Sequence, residues 1–266
     1  MRLLRTIIIT LLIISILFPF LPLMVWSFSH RWYFPTLMPT EWSWRAWSYI
    51  FSDSSHVLSA IMYSTIIALS VTFLSILIGL PAGRALGLHQ FWGKDFIKLL
   101  VLTPTIVPTL AVALGIHGLF IRYGLADTLL GVILVHLIPV LPYMILVLAS
   151  VFANYDLAYE EQARSLGANP LQVFYYITLP TIFPGLMVGS FFAFIISWSQ
   201  YVITLLIGGG QVVTLPILLF TFANSGDNPL TAALSLIFIA PAILFILFTS
   251  HYLSGHESMW GGLGKL

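Results

Sequence analysis

Two histidines, a run of hydroxyl and amide side chains, and a short acidic cluster are the residues whose types and spacing suggest chemistry. His117 and His136 fall in successive apolar runs. Two imidazoles on neighbouring helices would be the start of a proton gate or a metal site. No carboxylate or cysteine accompanies them in those runs, so two hydrogen-bonded structural histidines are the plainer expectation. The polar run is Ser197, Trp198, Ser199, Gln200, Tyr201 and Thr204. Polar side chains inside an apolar segment usually face a bundle interior or a cavity. Ser197, Gln200, Tyr201 and Thr204 are therefore candidates for lining a passage, set against the plainer role of bonding helix to helix. The chain has no cysteine, which removes a thiolate nucleophile, thiolate metal ligands and disulfides. No nucleophile and base stand at usable spacing, and an enzyme is not expected. Gly264-Lys265 echoes the end of a phosphate-binding loop, but Met259 stands where the first glycine belongs and Leu266 follows the lysine.

The acidic cluster is Asp156, Glu160 and Glu161, and it opens the stretch YEEQARSLGANPLQVFYYITLPTIFP from Tyr159 to Pro184. Acidic residues suit the first turn of a helix, and Ala163 and Leu166 favour continuing it. Gly167 and Asn169-Pro170 then break it. A second short helix is expected from Leu171 to Tyr176, and Pro180 and Pro184 lead into the next apolar run. The expectation is a helix, a glycine turn and a second helix, tied stiffly to two apolar segments.

Glu161-Gln162-Ala163, then Gly167, then nine residues, then Ile177-Thr178-Leu179-Pro180 resembles the EAA loop of ABC importer permeases, with Gln162 where that family usually carries alanine. The resemblance implies a cytoplasmic coupling helix, residues 156–180, that docks a separate ATPase through Glu161, Gln162, Ala163, Gly167, Ile177, Leu179 and Pro180. Ala163 and Gly167 would let the partner's backbone come close, and Glu161 would pair with a basic residue at the rim of a groove. The implied partners are a cytoplasmic ABC ATPase dimer, a second permease subunit (a copy of this chain or, as the resemblance favours, a related, different chain) and an extracytoplasmic solute-binding protein. ATP and Mg would sit on the ATPase, with no cofactor on this chain. The stretch Ser197 to Pro216, with Gly208-Gly209-Gly210 and Thr214-Leu215-Pro216, resembles the polyamine, thiamine and ferric-iron importer group. The polyamine branch often carries acidic residues near Trp198 to Gln200, where Ser199 and Gln200 are neutral here. The expected cargo is a small solute, possible types being polyamine, thiamine, iron or phosphonate, and its identity is left open.

The elements that must position these residues are membrane helices. Of 266 residues, 59% are hydrophobic and 7% charged, against about 25% charged in a soluble domain. Lipid must cover much of such a surface. A net charge of +1 leaves no basic stripe for nucleic acid. Charge-free runs of roughly 20 residues cross about 30 Å of hydrocarbon. They place spans at Thr6–Trp26, between His56 and Arg84, between Lys98 and Arg122, between Asp127 and Asp156, at about Phe183–Ile207 and at about Pro229–Leu253. The fold expected is all-α, a polytopic helix bundle of about six spans. It forms one transmembrane permease domain over 1–266, with a first span and outer amphipathic segment at 1–56 and a transporter core at 57–253. The first run is expected to be a retained helix and not a signal peptide, since it is long and lacks an A-x-A site.

Basic residues set the orientation. With the amino terminus inside, Arg2, Arg5, Arg84, Lys94, Lys98, Arg164 and Lys265 lie inside, and Arg31, Arg45 and Arg122 outside. Both termini are then cytoplasmic in a bacterial inner membrane. Trp26 to Phe51 is crowded with aromatics, Tyr33 and Phe34 among them, and is expected to form an interfacial helix on the outer leaflet, with docking of a substrate-delivering protein as the functional alternative. Asp53 and Asp227 are expected in solvated outer loops. Gly79-Leu80-Pro81, Pro104 with Pro108, and Pro139 with Pro142 mark breaks of the kind that line transporter paths or merely kink helices. Gly83 and Gly87, four apart, suit close helix packing. The alternative is a stand-alone secondary transporter or channel, but such proteins usually carry intramembrane carboxylates and the spans here have none.

Overall fold

The computed structural model describes residues 2–32, 35–36 and 38–260; Met1, Tyr33, Phe34 and the Gly264-Lys265-Leu266 end lie outside them. In chain order the elements are α1 (Arg2–Leu17), α2 (Phe20–Ser27), β1 (Ser29–Arg31), β2 (Glu41–Trp42), α3 (Arg45–Ile50), α4 (Val57–Leu88), α5 (Lys94–Ile106), α6 (Thr109–Arg122), α7 (Leu129–Ala153), α8 (Ala158–Ser165), α9 (Pro170–Val173), a π turn (Phe174–Thr178), α10 (Leu179–Trp198), α11 (Val202–Gly208), α12 (Leu215–Ser225) and α13 (Asn228–Trp260). Among the described residues five segments are long and apolar enough to cross a membrane: Leu4–Ser27, Val57–Leu88, Leu129–Ala153, Pro170–Trp198 and Asn228–Phe245. The pair α5 and α6 makes a sixth if counted as one span, but it is bent by 97°.

That bend is where the third expected span departs from a single helix. Val107 precedes Pro108 and has ψ 133. The proline ring crowds the preceding residue out of the helical region, so the chain turns there. The fifth span also differs from expectation. Helix begins at Pro170 and runs through the π turn into α10. It ends at Trp198, and α11 resumes only at Val202. Pro180 lacks the N–H that would bond the Tyr176 carbonyl, and the turn widens at that place.

The chain divides into two compact units. In the first, residues 1–61 and 215–266, α2 and α3 pack on α13. The aromatic segment forms a small antiparallel β pair, Ser29 opposite Trp42, followed by the short helix α3. Trp26 meets Trp32 edge-on at 5.4 Å, and Phe28 meets Trp44 at 4.9 Å. Asp227 is not a free loop carboxylate. It accepts from the Leu230 N–H at 3.2 Å, closing the start of α13, and from Arg45 Nη2 at 2.8 and 2.9 Å.

In the second unit, residues 62–214, α7 is the central helix and packs against α10, α5 and α11. Its core joins Ile67 and Val71 of α4, Val135, Val140, Met144 and Leu148 of α7, Ala193 of α10, and Ile203 and Ile207 of α11. The helix α4 rests on α7 along a glycine seam. A Cβ at Gly83 would stand 2.6 Å from Leu148 Cβ, and one at Gly87 2.5 Å from Phe152 Cβ. Gly79, against Met144, extends the seam by a turn beyond the expected pair. Away from it, Leu69, Phe73 and Leu77 of α4 are exposed, as a lipid-facing side requires.

Candidate functional site

The stretch from Ala158 to Thr178 folds as two helical pieces at a tight turn. Asp156 Oδ1 accepts from the Ala158 N–H at 2.9 Å and starts α8. Gly167, at φ +90, ends it in a left-handed conformation that favours glycine. The Ala168 N–H reaches the Ala163 carbonyl at 3.0 Å and the Gly167 N–H the Arg164 carbonyl at 2.9 Å, a Schellman closure that satisfies two end carbonyls. Asn169 then caps α9 reciprocally with Gln172, at 2.9 and 2.8 Å, with Pro170 at the first helical position. The turn is therefore rigid although it is exposed.

Its surface is apolar where a solvated loop would be polar. Leu166 is 89% exposed and Tyr176 76%. Both line a cleft of about 400 Å³ with Ala163, Gly167, Gln172 and Ile177. Glu161, Gln162 and Pro180 are exposed, and Ala163, Ile177 and Leu179 are partly so. Four of the expected docking residues thus have an open face and three a partial one. Leu166 and Tyr176 were not singled out by the motif; large apolar side chains at a turn were the available signal.

Beneath this surface lies a buried charge. Glu160, 3% exposed, accepts from Arg84 Nη1 and Nη2, both at 2.8 Å, in a two-pronged pair. Its Oε1 also accepts from Thr178 Oγ1 at 2.9 Å, and its Oε2 from Arg164 Nη2 at 3.4 Å. Tyr155 donates toward Thr178 at 3.5 Å, and the Arg84 guanidinium lies 5.6 Å from the Phe152 ring centre. Arg84's hydrogen bonds, acting against burial, hold the Glu160 carboxyl at about 2. Burial pushes the Tyr155 phenol above its usual value. Sequence reasoning placed Glu160 only among helix-start acids. Arg84, a cation inside the long apolar helix α4, was the signal for a buried partner.

The polar run near α10 and α11 converges on His136. Its Nδ1 lies 2.9 Å from Ser197 Oγ and its Nε2 2.9 Å from Thr204 Oγ1. All three residues are buried. With both ring nitrogens occupied, His136 has none left for a metal shared with His117. Among the described residues no cluster of three or more His, Asp or Glu is placed to hold a metal. Ser64, Ile67, His136, Ser197, Gln200 and Thr214 surround a gap too narrow for water. Gln200 and Tyr201, both half-buried, sit at the break between α10 and α11.

Residues 75–253 match the family model described as the binding-protein-dependent transport system inner membrane component. The putrescine transport system permease protein PotI of Escherichia coli K12 is 29% identical over 218 residues, covering 80% of this chain and 77% of PotI. The molybdenum transport system permease protein ModB of Mycobacterium tuberculosis is 30% identical over 218 residues, covering 76% of this chain and 81% of ModB. A solved bacterial ABC transporter involved in import of the polysaccharide alginate has a chain of the same fold, with a TM-score of 0.72 at 16% identity, covering 94% of this chain and 95% of that one. The MetNI methionine ABC transporter matches with a TM-score of 0.61 at 14% identity, over 77% of this chain and 99% of that one. With that family match over most of its length, and with the multi-helix apolar fold, this chain belongs to the binding-protein-dependent transport system inner membrane components: it is a multi-pass permease subunit of an ABC importer.

Proposed function

We propose that the turn at residues 156–180 is the joint through which a separate cytoplasmic ATPase dimer, carrying ATP and Mg, drives this permease. The observation that carries this reading is a capped, rigid helix–turn–helix that leaves Leu166 and Tyr176 exposed around an open cleft. Water is a poor solvent for that surface, and a helix in a protein groove is the natural match. Glu161 is exposed beside it and free to meet a basic rim. Both termini and this turn face the cytoplasm, following the basic residues. A second permease subunit, a related chain, completes the passage, and an extracytoplasmic binding protein delivers the solute. Gln200 and Tyr201 line the path at the α10–α11 break, and Ser197 and Thr204 set its wall by holding His136. Residues 165–226 carry no charge, and the relatives' names span putrescine and molybdenum. Solute choice therefore rests with the binding protein, and this chain supplies a neutral passage.

The test is purification of the tagged chain in mild detergent, followed by cysteine crosslinking from Leu166→Cys in a chain that has no other cysteine. An ATPase should co-purify and be captured at that position. Robust uptake into liposomes by the isolated chain, driven by an ion gradient alone, would overturn the reading.

A further inference from the structure

We propose that Glu160 is a positioning residue that locks α8 to the end of α4 and to the π turn, so that α4 travels with the coupling helix as one rigid piece. This rests on the docking reading above and adds what the docked helix pulls. Along the chain α8 is tied to α7 by a short linker and to α10 through α9, and it packs on α9 and the π turn. The Arg84–Glu160 fork is a link of another kind, reaching 76 positions back to α4. Two parallel N–H···O bonds fix direction as well as distance, and the Glu160 carboxylate that accepts them is buried, where water competes little for it. Thr178 brings the π turn into the same carboxylate. Such widened turns are frequent at functional sites.

The far part of α4 gives the lock a consequence. Ser64 and Ile67 of α4 border the closed gap beside His136, Gln200 and Thr214. Twenty residues of helix between Ser64 and Arg84 span about 30 Å. The glycine seam lets α4 lie directly against α7 over the half of that length nearer Arg84. A displacement of α8 delivered at Arg84 therefore reaches the wall of the gap through a stiff rod. In the absence of the lock, α8 and α9 would swing together on the linker after α7 and leave α4 behind.

Spin labels at Gln90→Cys, just beyond α4, and Ser165→Cys, on α8, test this in the assembled transporter purified through a tag on this chain. Their separation is read by pulsed dipolar spectroscopy without nucleotide and after trapping with ATP and vanadate. In the otherwise unaltered transporter the distribution should be the same in both states. With Glu160→Gln, or with Arg84→Gln where the Glu160 variant fails to assemble, it should broaden and shift on trapping. Arg84→Lys, which keeps the charge and loses the fork, should fall between. A separation that changes on trapping in the unaltered transporter overturns the lock, as does one that stays fixed in Glu160→Gln. Capture of the ATPase from Leu166→Cys is scored on parallel preparations that carry that cysteine alone, with and without Glu160→Gln. No capture sinks the docking reading, whereas capture with labels that move apart sinks only the lock.

Discussion

Glu160 and Gly167 show why neighbours in one motif do different work. Glu160 is buried and held ionised, while Glu161 beside it is open. A carboxylate whose folded value is about 2 against an ordinary 4.5 stabilises the fold fully above 4.5 and loses that contribution as pH falls from 4.5 through about 2. Thermal unfolding of the detergent-solubilised protein should therefore show an acid-side loss in that window. Glu160→Gln should lack this component and be less stable at neutral pH, by about 1.5–3 kcal/mol, the contribution of a hydrogen bond to a charged group, since Arg84 remains partly exposed to water. An unchanged acid profile in the variant would refute that assignment. Gly167, at φ +90 with nothing near its missing Cβ, tolerates bulk locally but not a left-handed side chain without strain of roughly 1 kcal/mol. Gly167→Asp also sets a charge on the rim of the Leu166 cleft. It should abolish ATP-dependent uptake while the chain remains in the membrane, as read by membrane fractionation beside the uptake assay.

At the scale of elements, glycines and prolines decide the geometry more than hydrophobicity does. The α4–α7 contact exists because Gly79, Gly83 and Gly87 present bare backbone to Met144, Leu148 and Phe152. Gly83→Leu has no room, since the position of its Cβ already meets Leu148 and the Ala149 backbone. Overpacking costs about 1–3 kcal/mol even where a core can adjust. The variant should lower the unfolding temperature and also weaken uptake, because parting α4 from α7 draws Arg84 away from Glu160. Normal uptake and stability in Gly83→Leu would show that the seam is slack. The 97° bend between α5 and α6 follows from Val107-Pro108, and the π turn stands where Pro180 removes a donor.

For the whole molecule, the absence of cysteine makes orientation measurable one residue at a time. Ser54→Cys, in the exposed segment before α4, and Ser165→Cys, in α8, should react differently with a membrane-impermeant maleimide in intact cells whose outer barrier is opened. Labelling is expected at Ser54→Cys, and at Ser165→Cys only after the inner membrane is permeabilised. The reverse pattern would put the coupling turn outside and remove any ATPase from its reach. The membrane class and family membership belong to this scale too, because they depend on composition and on a long match, and not on any one contact.

The EAA-like spacing, the scarcity of charge and the length of the apolar runs were legible in the bare sequence, because membrane insertion and short turns are governed by local chemistry. So were the turn at Gly167 and the break at Asn169-Pro170. Long-range partnership was not. Nothing near Glu160 in sequence names Arg84, 76 positions away, and nothing near His136 names Ser197 or Thr204. Ser197 and Thr204 read as residues that line a passage or bond helix to helix, and the partner they bond, His136, was not legible, since hydrogen bonds between helices depend on rotation about each axis. Apolar runs leave that rotation open when lipid can cover any side. Tertiary packing decides it, through the glycine seam and the buried carboxylate that α4 and α8 share.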